Sequence, residues 1–64
     1  MKSVKWVLLS LNLLPYTHIS IRQHGRNGVV YLGGGRFSSV VERFGDRQIE
    51  DSCIIDNVLC IYVR

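Results

Sequence analysis

Three arginines near a run of glycines are the residues of this chain best suited to binding chemistry. Arg22, Arg26 and Arg36 stand in the middle of the sequence, and Tyr31 lies between the second and the third. Guanidinium groups contact phosphate oxygens in planar, bidentate geometry and stack on aromatic rings. Arginine outnumbers lysine six to two, which favours such contacts. The pattern therefore predicts an anionic partner such as nucleic acid.

The glycine run Gly33 to Gly35 follows an apolar segment and immediately precedes Arg36. Backbone N–H groups at the start of a helix, with an arginine beside them, suit a phosphate group. The run lacks the Gly-Lys-Ser/Thr ending of a Walker loop, and a flexible connection between a strand and a helix is the alternative interpretation. The candidate residues for anion or nucleic-acid binding are Arg22, Arg26, Gly34, Gly35 and Arg36.

Two cysteines and two histidines are the remaining side chains that could ligate a metal or act as nucleophiles. Cys53 and Cys60 do not have the C-x-x-C spacing of redox and zinc sites, and with His18 and His24 they match no zinc pattern. The apolar neighbours of Cys60 are typical of a buried thiol. No catalytic residue, metal ligand, cofactor or small-molecule substrate is predicted, and we expect a protein without catalytic activity.

Length and charge limit the classes of protein that remain. The chain has 64 residues, enough for a single small domain spanning residues 1–64, and a hydrophobic content of 47% is enough for a core. Residues 1–36 carry five basic residues and no acidic ones, whereas residues 37–64 carry five acidic and three basic residues, so +5 and −2 give the net +3. The basic half favours nucleic acid. The opposite charges also leave a homo-oligomer open.

The N-terminal segment resembles the start of a signal peptide. Lys2 and Lys5 precede an apolar stretch from Trp6 to Leu14, but no small-residue cleavage site follows. The stretch is also too short to span a bilayer as a helix. We expect a cytoplasmic protein, and the alternative is a secreted or membrane-associated small peptide.

Apolar spacing predicts a small α+β domain. The elements are an antiparallel sheet with a β-hairpin at about 16–32, a short helix at about 37–44 and a C-terminal strand at about 58–63. Asn27-Gly28 is expected to form the hairpin turn, because both residues tolerate positive φ. Ser38 or Ser39 is expected to cap the helix, and Asp56-Asn57 to form a second turn. The C-terminal strand is expected to offer an edge for strand addition.

The N-terminal segment fits two periodicities. Alternating apolar residues from Val7 to Leu13 favour a strand, and the spacing of Val4, Val7, Leu8 and Leu11 fits a helix. We prefer the strand because Pro15 and a second strand follow at once.

Residues 38–43 resemble a translated transfer-RNA gene rather than any protein family. Ser38-Ser39-Val40-Val41-Glu42-Arg43, read back as AGC TCA GTG GTA GAG CGC, is similar to the D-arm of many such genes. Asp51-Ser52-Cys53 stands where the T-arm would be translated, with aspartate in place of the usual glycine. The resemblance covers about residues 35–53 and implies a reading frame that crosses a tRNA gene or a tRNA-derived element. It brings no site residue with it.

Overall fold

The fold is a four-stranded sheet with two helices on one of its faces. The computed structural model describes residues 2–10 and 18–64. Its elements are α1 (Val4–Ser10), β1 (His18–Gly25), β2 (Gly28–Gly35), α2 (Phe37–Phe44), β3 (Ile49–Ile55) and β4 (Val58–Val63). The predicted α+β class is confirmed.

The strand order across the sheet is β2-β1-β4-β3. Each hairpin is antiparallel, but the two central strands, β1 and β4, run parallel, so the expectation of a wholly antiparallel sheet is corrected. After β2, the connection through α2 carries the chain to the far edge of the sheet, where β3 lies. Strand β4 then returns beside β1 and runs in the same direction as β1. Because β4 is paired on both sides, the C-terminal strand is not the free edge that the sequence suggested, and the edges of this sheet are β2 and β3.

The first hairpin extends to residue 35, further than predicted. Its predicted start, residues 16 and 17, lies outside the described residues. Gly25 pairs with Gly28 across a turn formed by Arg26 and Asn27. Among residues 25–28 only Gly28 has positive φ, at 125°, and it begins β2, so the expected Asn27-Gly28 turn is displaced by one residue. The glycine run continues β2 instead of ending it.

The second hairpin contains a strand that the sequence did not predict. β3 is short of buried side chains: Ile49 is half-buried and the rest are exposed. The predicted turn at Asp56-Asn57 is confirmed. Both residues have positive φ, 50° and 66°, which is the signature of a type I′ hairpin turn.

The N-terminal segment forms helix α1, so the preference for a strand was wrong. Val4, Val7 and Leu8 are buried at helical spacing, and the alternating residues Leu11 and Leu13 lie outside the described residues. The backbone around α1 is tied to the domain by hydrogen bonds from the Val4 N–H to the Arg47 carbonyl (2.9 Å) and from the Ile49 N–H to the Lys2 carbonyl (2.9 Å). Among residues 2–10 and 18–64, no helix is long and apolar enough to cross a membrane.

Helix α2 spans the predicted residues and supplies the second half of the helical layer. Val40 is buried, and Phe37, Val41 and Phe44 pack against the core. Neither Ser38 nor Ser39 caps the helix, because the N-cap position is taken by Arg36, whose side chain makes no capping hydrogen bond. The core lies between the two layers and consists of Val4, Leu8, Ile19, Ile21, Val40, Leu59, Ile61 and Val63.

Candidate nucleic-acid interface

The sheet face opposite the helices is uncovered in the described part of the chain. Successive side chains along a strand project from opposite faces of the sheet. Ile19, Ile21 and Ile61 project into the core, so the residues next to them project from the opposite face. We call this side the open face. It carries His18, Ser20, Arg22 and His24 from β1, Val29, Tyr31 and Gly34 from β2, Cys60 and Tyr62 from β4, and Asp51 and Cys53 from β3.

One line of residues across the open face combines two aromatic rings with a guanidinium group. Arg22 is paired with Tyr31 on one side and with Tyr62 on the other, and Tyr62 is paired with Asp51. We call Tyr31, Arg22, Tyr62 and Asp51 the aromatic row. Directly paired residues project on the same face within contact distance of each other. The row therefore places an arginine between two tyrosines on adjoining strands.

Arg22 is held in place on this face. Its side chain is half-buried, and its Nε donates a hydrogen bond of 3.1 Å to the Ser20 Oγ, two residues along the strand. Ser20 is itself buried, at 4% exposure, although it lies on the open face. The acceptor is a neutral hydroxyl, so this contact positions the guanidinium without neutralising its charge. The planar group keeps further N–H donors for a ligand.

The two tyrosines differ in how they are held. Tyr31 is 60% exposed on the edge strand β2. Tyr62 is half-buried and stacks on His24, with ring centroids 4.9 Å apart and an interplanar angle of 19°. The His24–Tyr62 pair was not predicted from the sequence. Tyr62 lies between the apolar residues Ile61 and Val63, but the parallel register that brings it beside His24 has no local signal in the sequence.

A second line of small residues lies beside the aromatic row. Its members are register partners from one strand to the next across the sheet: Gly34 with Ser20, Ser20 with Cys60, and Cys60 with Cys53. The hydroxyl of Tyr31 lies 3.0 Å from the place that a Cβ atom would take at Gly34, and such a Cβ atom would also overlap the Ile19 carbonyl oxygen. Because Gly34 has no side chain, strand β1 and the hydroxyl of Tyr31 can both lie close to the backbone of β2 at this position.

The five candidate residues do not form one cluster. Arg22 and Gly34 share the open face, Arg26 is exposed in the turn of the first hairpin, and Gly35 and Arg36 lie where β2 meets α2. Arg26 and Arg36 flank the eight residues of β2. At about 3.4 Å per residue the strand is about 24 Å long, so no single small anion contacts both arginines.

The charge division seen in the sequence becomes a division between the two edges of the sheet. The β2 edge is flanked by Arg26 and Arg36, with Arg22 on the adjoining strand. The opposite edge, β3, carries Glu50 and Asp51, and Asp56 follows it, while Arg47 and Arg64 lie beside its first residue. A polyanion is therefore attracted more strongly to the β2 side of the open face than to the β3 side.

The thiols and imidazoles do not assemble a metal centre in the part of the chain that the structure describes. Among these residues, no three His, Cys, Asp or Glu side chains converge. Cys53 and Cys60 are instead direct partners across β3 and β4, and both thiols are free.

No family model, curated protein or solved structure matches the chain. The candidate interface thus rests on the arrangement of the chain's own residues.

Proposed function

We propose that this protein is a non-catalytic binding module that takes up single-stranded nucleic acid on its open face. The observation that carries the proposal is the pairing of Arg22 with Tyr31 and Tyr62 in one row across three strands. A base stacks on an aromatic face regardless of its identity, while a neighbouring guanidinium contacts phosphate or stacks on the next base.

Single strands suit this surface better than a duplex does. Bases within a duplex have their faces occupied by neighbouring bases, whereas an unpaired base offers its face to a tyrosine ring. The exposed ring of Tyr31 and the His24–Tyr62 stack provide two such platforms on the open face.

The charged residues favour one path for the strand. Arg26 and Arg36 stand at the two ends of β2, and Arg22 lies between them on β1. A nucleic-acid backbone running along β2 meets all three arginines in turn and stays away from Glu50 and Asp51 on the far edge. Phosphate contacts of this kind give affinity without sequence preference.

Fluorescence anisotropy with labelled oligonucleotides tests the proposal. The probes are an unstructured RNA of about ten nucleotides, DNA of the same sequence and the corresponding duplex, a length within the range of known single-strand binding modules. We expect both single strands to bind more tightly than the duplex. Tyr31→Ala should weaken single-strand binding about tenfold, the usual effect of losing one stacking platform.

Lys5 on α1 provides a control for the loss of one positive charge at Arg22. Arg22→Gln removes the positive charge but keeps an amide that can donate to the Ser20 hydroxyl, and Lys5→Gln removes one charge from an exposed position in the helical layer. Arg22→Gln should weaken binding about tenfold and Lys5→Gln less than about twofold. Equal losses in the two variants, or a duplex bound as tightly as the single strands, would refute the proposal.

A second candidate function is suggested by the outer surface of α1. Trp6 is 51% and Leu9 64% exposed there, and the Lys2 Nζ lies 4.5 Å from the centroid of the Trp6 ring. Aromatic and apolar side chains with lysines beside them favour the interface of an anionic membrane. Co-sedimentation with anionic and with neutral vesicles tests this candidate. Binding that Trp6→Ser abolishes would support it, and no binding to anionic vesicles would exclude it.

A further inference from the structure

Cys53 and Cys60 lie directly opposite each other in the middle of the second hairpin. They are paired in the antiparallel register of β3 and β4, so both side chains project from the open face. The Cα atoms of opposite residues in an antiparallel pair are about 4.5 to 5.5 Å apart. Disulfide bonds usually join Cα atoms separated by about 4.4 to 6.8 Å. A bond between these cysteines therefore fits the backbone as it stands.

The two thiols differ strongly in their access to solvent. Cys53 is exposed on the edge strand β3, whereas Cys60 is fully buried, at 0% exposure, on the central strand β4. The Cys60 thiol points toward the carbonyl oxygen of Val58, 3.9 Å away. An external reagent therefore meets Cys53 first, and Cys60 reacts only with a partner already inside the protein.

We propose that Cys53 and Cys60 form a reversible thiol–disulfide site for a low-molecular-weight disulfide such as oxidised glutathione. The Cys53 thiolate attacks one sulfur of the reagent, forms a mixed disulfide and releases one glutathione thiolate, which takes up a proton. Cys60 then loses its proton, attacks the Cys53 sulfur and releases the second glutathione. In sum, two protein thiols are oxidised to one disulfide, and oxidised glutathione is reduced to two glutathione molecules.

The bond affects the part of the sheet that is least well held. All of β3 except Ile49 is exposed, so the strand depends on its hydrogen bonds to β4. A cross-link in its middle restrains the open conformations of the hairpin. Oxidation should therefore slow cleavage of β3 by a protease of broad specificity about tenfold, without changing the fold.

Titration with mixtures of reduced and oxidised glutathione tests this site. The folded protein is equilibrated at each ratio, its free thiols are blocked with N-ethylmaleimide, and the intact mass is measured. We expect a monomer that loses two hydrogen atoms, with a peptide linking Cys53 to Cys60 after digestion. A protein that stays reduced, stops at the glutathione adduct or forms only cross-linked dimers would overturn the proposal.

Single variants separate the two roles. Cys60→Ala should stop at the mixed disulfide on Cys53, and Cys53→Ser should leave Cys60 unreactive as long as the protein is folded. A Cys53→Ser protein that reacts as fast as the parent would contradict the assigned order. The titration needs no variant and no nucleic acid, so it stands or falls independently of the proposed function and of whether Cys60→Ala folds.

Discussion

Tyr31 lies directly opposite Arg22 in the ladder between β1 and β2, and both project from the open face. Strand β2 contains a bulge next to this pair, because the register shifts between Ile21 and Arg22. The bulge turns Leu32 toward the core and leaves Tyr31 exposed at the edge. An aromatic ring thus stands beside a guanidinium that is fixed by its hydrogen bond to Ser20.

The salt dependence of binding should report the number of arginines that contact phosphate. For single strands, each phosphate contact contributes about −0.7 to the slope of log K against log salt, so three arginines predict a slope of about −2. Arg26→Gln should make the slope shallower by about 0.7. Anisotropy titrations at several salt concentrations measure it, with Lys5→Gln as the control that leaves the slope unchanged. An unaltered slope in Arg26→Gln would remove Arg26 from the interface.

Leu8 and Leu9 are adjacent in α1 and should respond differently to truncation. Leu8 is 1% exposed and belongs to the core, whereas Leu9 is 64% exposed. Leu8→Ala should lower the free energy of unfolding by about 2 to 5 kcal/mol, which is most of the stability of a domain this small. Leu9→Ala should change it by less than about 0.5 kcal/mol. Urea denaturation measures the free energy of unfolding of both variants. A loss in Leu8→Ala as small as the loss in Leu9→Ala would mean that α1 is not part of the core.

Gly34 and Gly25 provide a similar comparison within the sheet. A Cβ atom at Gly34 would overlap the Ile19 carbonyl oxygen and press on the Tyr31 hydroxyl, while one at Gly25 meets its nearest atom at an ordinary 3.4 Å. Gly34→Ala should therefore destabilise the protein by about 1 to 3 kcal/mol. Gly25→Ala should change stability by less than about 1 kcal/mol, since alanine is tolerated better than glycine in a strand. Thermal unfolding tests this, and equal melting temperatures for the two variants would be inconsistent with the close packing at Gly34.

The resemblance of residues 35–53 to a translated tRNA gene predicts a specific nucleotide sequence. We propose that Ser38 to Arg43 are encoded by AGC TCA GTG GTA GAG CGC, in keeping with a D-arm. Sequencing the encoding DNA checks this directly. Other synonymous codons at these positions, such as TCT at Ser38 or AGA at Arg43, would remove the resemblance. Whichever codons are found, Phe37, Val40 and Phe44 lie on one side of the amphipathic helix α2, and that side packs in the core.

Local patterns predicted the first hairpin and α2 because each is defined by nearby residues. The β1 alternation of Ile19 and Ile21 and the helical spacing in α2 both describe one buried side. The N-terminal helix was misjudged because its apolar residues fit a period of two as well as a period of 3.6. Strand β3 was missed because, as an edge strand, it buries little and keeps polar residues on both sides.

The candidate site was only partly visible in the sequence for a related reason. Arg22 and Gly34 are recognisable by residue type, and both lie on the open face. The neighbours that give Arg22 its role come from distant parts of the chain, and Tyr62 reaches it only through the parallel pairing of β1 with β4. No local pattern encodes that pairing, so the aromatic row was not predicted. The pairing of Cys53 with Cys60 was not predicted either, because β3 was not recognised as a strand.

Mapping the bound strand onto the sheet by NMR tests the central claim most directly. The isotope-labelled protein is titrated with the unstructured oligonucleotide of about ten nucleotides, and the shifts of its amide and aromatic signals are followed. We predict the largest changes at Arg22, Tyr31 and Tyr62, and small changes at Trp6 and at Asp56 on the far edge. Changes concentrated on α1 and α2, or none at oligonucleotide excess, would contradict nucleic-acid binding on the open face.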